Sequence, residues 1–227
     1  PSGTVVSDDF DACSLNTELW TWTNPLSGTY AMTGTFTQDA WLSISVPAGT
    51  SHEIWKDGNF APRIMQPISN TDFEIEVKFE SPLTQTFQMQ GVLVEQDEDD
   101  FLRFEFHSKY PDTVLYAAIF EPVLVPPPIL KPTEKYNEPI TGTNIAPLYM
   151  RVRRQGNQWT QSYSYNGTDW TTAVTFIHAL TVTAVGAFVG NDGGSSPAHT
   201  AYIDYFFNTA SPIVPEDGDR NTLTVNW

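Results

Sequence analysis

The chain has 227 residues, 40% of them hydrophobic and 13% aromatic, which is enough apolar material for a packed core. Only 17% are charged, yet the formal net charge is -16, and so acidic a surface repels nucleic acid and anionic lipid headgroups. The single cysteine, Cys13, excludes an internal disulfide and a cysteine-based metal cluster; its thiol is expected inside the fold. No run approaches the ~18 apolar residues of a membrane helix, so neither a membrane nor a nucleic acid is expected as a partner.

Helical periodicity is nearly absent. Strand-like segments follow one another instead: Trp41–Val46, Asp72–Glu80, Met89–Glu95, Phe101–His107, Val114–Glu121, Leu148–Gln155, Trp159–Tyr165, Val182–Val189 and Ala201–Phe207. Turn residues part them, as at Pro47-Ala-Gly49, Asp57-Gly58-Asn59, Gln155-Gly156-Asn157 and Asn166-Gly167. Short strands at this spacing predict an all-β sandwich or barrel. In Asp72–Glu80, Phe73, Ile75, Val77 and Phe79 face the core, while Glu74, Glu76 and Lys78 face out. Trp20, Trp22 and Trp41 are expected in the core.

Gln88–His107 is the most informative stretch. Leu102, Phe104 and Phe106 alternate with Arg103, Glu105 and His107, the mark of a strand with one buried and one wet face. If Asp97 and Glu98 form a two-residue loop, Gln90 lies opposite Glu105 and Gln88 opposite His107. The wet face then carries Gln88, Gln90, Arg103, Glu105 and His107, with Arg151 as a further contributor. These planar polar groups present fixed donors and acceptors that suit adjacent sugar hydroxyls. Trp55 would supply a ring for the apolar face of a pyranose, and Arg63, held by the extended Ala61-Pro62 backbone, would stand beside it.

Other constellations read as structure. Glu95–Asp100 resembles the paired carboxylates of a glycosidase, which must lie about 5 Å apart to act with retention. Its place at a hairpin turn argues against catalysis. The four histidines have no Ser and Asp neighbours at a recognisable spacing. Ser164–Trp170 reads as a hairpin whose polar residues hold the turn. Between Glu121 and Pro147, six prolines from Pro122 to Pro139 predict a long loop, because proline has no place in a central strand. Asp9 and Asp11, with Asp204, are candidate oxygen ligands for a structural calcium ion.

Several segments occur in a familiar order. They are Asp8-Asp9-Phe10-Asp11 followed by Leu19–Trp22, WKDGNFAPRIMQ from Trp55, DFEIEVKFE, QGVLVEQDEDDFLRFEF, LYMRVRRQGNQWTQSYSYNGTDW, AVGAFVGND and AYIDYFF. Over about Val6 to Asn208 the chain resembles the concanavalin A-like jelly-roll module called domain of unknown function 1349, which is similar to the C-terminal module of family 43 glycoside hydrolases. The resemblance implies two packed antiparallel sheets with a sugar-binding concave face, and a non-catalytic accessory role. The expectation is a monomeric carbohydrate-binding module, residues 1–210, of a secreted bacterial multi-modular protein that binds a polysaccharide or oligosaccharide. Residues 211–227 would be a linker and the start of the next module. The alternatives are a glycoside hydrolase or lyase using Glu105 with a second carboxylate, and an interaction domain without a small ligand.

Overall fold

The segment Phe73–Phe79 shows how the sequence builds the sandwich: Ile75, Val77 and Phe79 are fully buried, while Glu74, Glu76 and Lys78 stay at the margin of solvent. The computed structural model describes residues 3–34, 40–123 and 129–213, and contains no α-helix among them. Its strands are β1 (Thr21–Thr23), β2 (Thr29–Thr33), β3 (Trp41–Val46), β4 (Ile54–Trp55), β5 (Gly58–Asn59), β6 (Arg63–Pro67), β7 (Phe73–Phe79) and β8 (Gln88–Glu95). They continue with β9 (Phe101–Lys109), β10 (Asp112–Val123), β11 (Ile129–Gly142), β12 (Leu148–Gln155), β13 (Gln158–Ser164), β14 (Thr171–Ile177), β15 (Ala184–Asn191) and β16 (His199–Asn208). One sheet runs β1-β6-β15-β8-β9-β10-β11 and the other β14-β13-β12-β7-β16-β3-β2, with β4 and β5 forming a separate hairpin. The two large sheets are the two-sheet β-sandwich expected of a concanavalin A-like jelly roll.

The main core lies between the sheets. Leu102, Phe104 and Phe106 of β9 meet the buried faces of β7 and β12, with Phe79 and Phe106 edge to face at 6.2 Å. Trp20 is buried against Phe206 and donates its indole N–H to Asp8 Oδ2 at 2.8 Å. Trp159, whose side the sequence left open, is fully buried. Trp22 and Trp41 are only half-buried, against Tyr30 and Tyr202 respectively. Cys13 is exposed, contrary to expectation. It sits in a loop where Leu15 takes the inward place.

Two larger expectations are corrected. The proline-rich segment is mostly strand: β11 pairs with β10 along its length, with Pro132 opposite Phe120 and Pro139 opposite Val114. It lies at the sheet edge, where a residue without an N–H can face away from the ladder. Residues 124–128 fall outside the described residues, as do 214–227, on which most of the expected linker and following module lie.

The second correction is the register of β8 and β9. Glu95 pairs with Phe101, so the turn takes residues 96–100. Asp97 Oδ1 holds it by accepting from the N–H groups of Asp99 (3.0 Å) and Asp100 (2.9 Å), an Asx-type turn. An odd loop shifts pairing by one residue, and in a sheet that turns every side chain to the other face. Gly91, not Gln90, stands opposite Glu105, and Met89 opposite His107. Gln88 and Gln90 therefore point between the sheets. Gln90 Oε1 accepts from Ser81 Oγ (2.7 Å) and from His199 Nε2 (3.2 Å), and its Nε2 donates to the Ser81 carbonyl. Gln88 Oε1 accepts from the backbone N–H groups of Thr84 and Gln85, and its Nε2 donates to the Ala198 carbonyl.

Two predictions follow from this interior. A Cβ on Gly91 would stand 2.1 Å from the Phe104 carbonyl oxygen and 2.7 Å from the Glu105 Cα. Gly91→Ala should therefore cost about 1–3 kcal/mol, read as a lower urea midpoint. Burial pushes the His199 pKa down from 6.5 to about 3. Between those values the unfolded chain binds a proton that the folded chain refuses, so stability should fall as pH drops from about 6.5 toward 3, by up to about 1.4 kcal/mol per pH unit. His199→Gln should flatten that part of the profile; an unchanged slope would assign it to other groups.

Candidate functional site

The register that sends Gln88 and Gln90 inward sends Arg103, Glu105 and His107 to the outer face of their sheet, beside Met89, Gly91 and Leu93. On the other flank a two-residue loop, Tyr110-Pro111, sets Tyr116 opposite Glu105 and Ala118 opposite Arg103. Gly91 lets the strands meet with no side chain beneath Glu105. The face expected to be wet is covered: Arg103 is 6% exposed, Glu105 1% and His107 9%. The β4–β5 hairpin folds over it, and a second apolar cluster that includes Ile54, Leu93, Phe101, Phe120, Leu130 and Phe188 fills the space between.

At the centre is a buried ion pair. Arg103 Nε donates to Glu105 Oε2 at 2.8 Å and its Nη2 to Oε1 at 2.6 Å, while Nη1 donates to the Ile54 carbonyl of the hairpin. The guanidinium also lies near the rings of Tyr116, Phe188 and Phe120, at 5.2, 5.8 and 6.0 Å. His107 Nδ1 is 3.0 Å from Glu105 Oε1, so the proton sits on Nδ1 and leaves Nε2 as the ring's second polar atom. Burial alone would raise the Glu105 pKa, but the charge of Arg103 and the hydrogen bond from His107 outweigh it and hold the carboxyl below its usual range. With both oxygens engaged, Glu105 is a fixed structural anion.

Beside this pair opens a cavity of about 220 Å³, lined by Glu53, Ile54, Trp55, Phe87, Met89, Arg103, Glu105, His107, Lys109, Tyr116, Asn137 and Asp192. Trp55 is 39% exposed at its edge and meets Phe120 edge to face at 6.2 Å. The Tyr116 hydroxyl is buried and has no hydrogen-bond partner among the described residues. Burial pushes its pKa up, so it stays protonated as a donor and acceptor. At the rim the Glu53 pKa is raised, first by burial and then by the neighbouring Asp192. Asp192 itself accepts from Ser51 Oγ at 3.0 Å.

Of the residues chosen from the sequence, Trp55, Arg103, Glu105 and His107 come together in this cavity. Gln88 and Gln90 lie on the opposite face. Arg63 shares the face but stands three strands from Glu105, beyond Phe188 and Gly91, and is ion-paired with Glu95 at 3.1 Å. Arg151 belongs to the other sheet, where it donates to Glu76 (2.8 Å) and lies 3.9 Å over the Trp170 ring. Asp204 pairs with Lys78 at 2.7 Å, and Asp9 accepts from the Asp11 N–H within its own turn. No three His, Cys, Asp or Glu side chains converge in a way that could hold a metal ion among the described residues. A pair of backbone hydrogen bonds between Asp8 and Phe206 joins the N-terminal segment to β16. Sequence reasoning missed Tyr116, Phe87, Met89 and Asn137. Only for Tyr116 was there a signal, its alternation phase combined with the short Tyr-Pro turn.

The profile of the beta xylosidase C-terminal concanavalin A-like domain matches residues 7–206. The chain belongs to that family. Among solved structures it is similar to the xylan beta-1,4-xylosidase of Bacillus halodurans C-125, at 16% identity and TM-score 0.64 over 88% of this chain and 38% of that one. The GH43 protein BlXynB of Bacillus licheniformis gives the same figures. The chain thus spans 38% of the length of these GH43 structures. A family 16 endo-glucanase of Bacteroides ovatus is similar at 12% identity and TM-score 0.62, over 89% of this chain and 98% of that one. No curated protein sequence matches. At these identities the structures share the fold, and the fold alone does not assign an activity; in this family member the pocket must carry the argument.

The ion pair yields a stability test. Glu105→Ala leaves a buried guanidinium uncompensated and should cost about 3–5 kcal/mol in urea unfolding. The double change Arg103→Met with Glu105→Leu should recover most of that loss. A wild-type midpoint for Glu105→Ala would mean that the pair is not desolvated in solution.

Proposed function

We propose that this concanavalin A-like domain is a non-catalytic carbohydrate-binding module that takes a neutral sugar into the pocket beside Arg103 and Glu105. The observation that carries the reading is the cavity beside the buried ion pair, whose wall holds Trp55, His107 and Tyr116, the last with a buried hydroxyl that has no partner among the described residues. Leaving such a group unsatisfied costs about 1–3 kcal/mol, and a ligand hydroxyl placed between Tyr116 and His107 would remove that cost. Trp55 supplies a flat ring for the C–H face of a pyranose. Ile54, Phe87 and Met89 give the cavity its apolar side, and Glu53 and Asp192 can accept from outward hydroxyls.

The same geometry favours binding over hydrolysis through Glu105. A glycosidase needs one carboxyl free to attack or to give up a proton, and both Glu105 oxygens are held by Arg103 and His107. In this reading the module works beside a glycoside hydrolase in a longer secreted polypeptide, delivering or retaining it at its glycan. The acidic surface is compatible with a neutral polysaccharide, and the domain acts as a monomer.

The test scores retention and released sugar together on a panel that includes xylan and mixed-linkage glucan. Retention without release supports the reading; release would replace it with a hydrolase. Tyr116→Phe should weaken retention about 2- to 10-fold, the worth of one hydrogen bond, while the melting temperature holds or rises because an orphan hydroxyl is gone. Trp55→Ala should weaken retention by about tenfold or more through loss of the stacking ring. Unchanged retention in both variants would move the site elsewhere.

A further inference from the structure

A concave sheet can bind a glycan in two ways: as an open groove that a chain crosses, or as a pocket that a chain end enters. The two differ in what occupies the rest of the face. In this domain the rest of the face is filled. Beyond Arg103, Phe101 and Phe120 stack at 4.9 Å, both fully buried. Phe188 and Leu93 are equally buried on the flanking strands.

A roof covers these residues. The β4–β5 hairpin is bound to the floor by the hydrogen bond from Arg103 to the Ile54 carbonyl. It is bound to the edge strand by the Leu130 N–H, which donates to the Lys56 carbonyl at 2.8 Å. Trp55 closes the corner by packing against Phe120. The edge strand β11 that bears Leu130 is the segment whose prolines broke the strand pattern of the sequence. Its role in the fold is to raise one wall of this face, with Asn137 reaching the cavity.

The cavity is also small. At about 220 Å³ it falls below the ~300–1,000 Å³ of sites that take drug-sized ligands, a size suited to one sugar ring. Its mouth carries Phe87, 39% exposed, with its backbone at φ 68° and its ring against Gly193. A non-glycine residue is seldom held in that conformation. There it places a second ring on the mouth opposite the covered end.

We infer that the pocket recognises the end of a glycan, admitting one terminal sugar residue, and that the covered remainder of the sheet bars the interior of a chain. The inference rests on the carbohydrate-binding reading and adds its mode. A chain threaded along the face would have to displace Phe101, Phe120 and Leu130 with the hairpin above them, which means opening the second apolar cluster. A terminal residue needs no displacement: its ring enters between Trp55 and Tyr116, and the next residue leaves past Phe87.

The experiment is titration of the whole chain with length series of defined ends. The probes are the monosaccharide, disaccharide and hexasaccharide of the β-1,4-xylose, β-1,4-glucose, β-1,3-glucose and α-1,4-glucose series, together with cyclomaltohexaose, which has no ends. The expected result is one module per chain, molar affinity within about twofold between disaccharide and hexasaccharide of the series that binds, competition by the free monosaccharide, and no binding of the cyclic probe. Affinity that climbs with each added residue, several modules per chain, or binding of the ring would overturn end recognition and leave the carbohydrate-binding reading standing. No binding in any series would overturn both.

Discussion

The structure depends on how one strand, β9, disposes of Arg103 and Glu105. Two opposite charges sit on the same face two residues apart, under a hairpin that removes them from water. Taking charges out of water is costly unless geometry and hydrogen bonding compensate. Here the guanidinium is bidentate on the carboxylate, caps a hairpin carbonyl, and lies among three aromatic rings. That arrangement needs Gly91 opposite Glu105, because any side chain there would collide with the β9 backbone. It also needs the hairpin, because the Ile54 carbonyl is one of the acceptors. Floor, roof and neighbouring strand are thus fixed by one group.

The consequence for function is a division of labour between polar residues. Those that look most reactive in the sequence, Arg103 and Glu105, spend their hydrogen-bonding capacity on each other and on the hairpin. They give the pocket a rigid, nearly neutral base. The groups that remain able to meet a ligand are less conspicuous: the Tyr116 hydroxyl, His107 Nε2, the Trp55 ring and the rim carboxylates. On the proposed carbohydrate-binding reading, such a pocket would select for shape and hydroxyl placement. Its carboxylates Glu53 and Asp192 and the net charge of -16 disfavour an anionic ligand.

The same sandwich serves a complete family 16 endo-glucanase and part of much longer GH43 chains. In this domain β11 and the β4–β5 hairpin convert much of the outer face of the β9 sheet into a second core, whose members Phe101, Phe120 and Phe188 are as buried as those between the sheets. A face that carries Arg, Glu and His in alternation reads as wet when a strand is considered alone. It becomes interior when another part of the chain lies across it.

Nine segments recognised by alternation are all strands in the fold, because period two is a property of consecutive residues and needs no partner to be seen. The order of the segments likewise leads to the sandwich family. Trp55, Arg103, Glu105 and His107 were also legible, since polar residues in strict alternation with Phe and Leu call for an explanation. The strands missed include the short β1, β2, β4, β5 and β6, the proline-rich β11, and β14 at the edge of the other sheet. Gln88 and Gln90 were misplaced because the parity of a hairpin is set by its loop, and the side chain of Asp97 made that loop odd. Arg63 and Arg151 were misplaced because their partners, Glu95 and Glu76, lie on strands distant in sequence. Local periodicity lets the sequence by itself determine which residues form strands and which face of each is apolar. Only the tertiary structure decided which polar face is covered, which charges are already paired, and where an unpartnered hydroxyl is left, because those depend on register and on segments that meet only after folding.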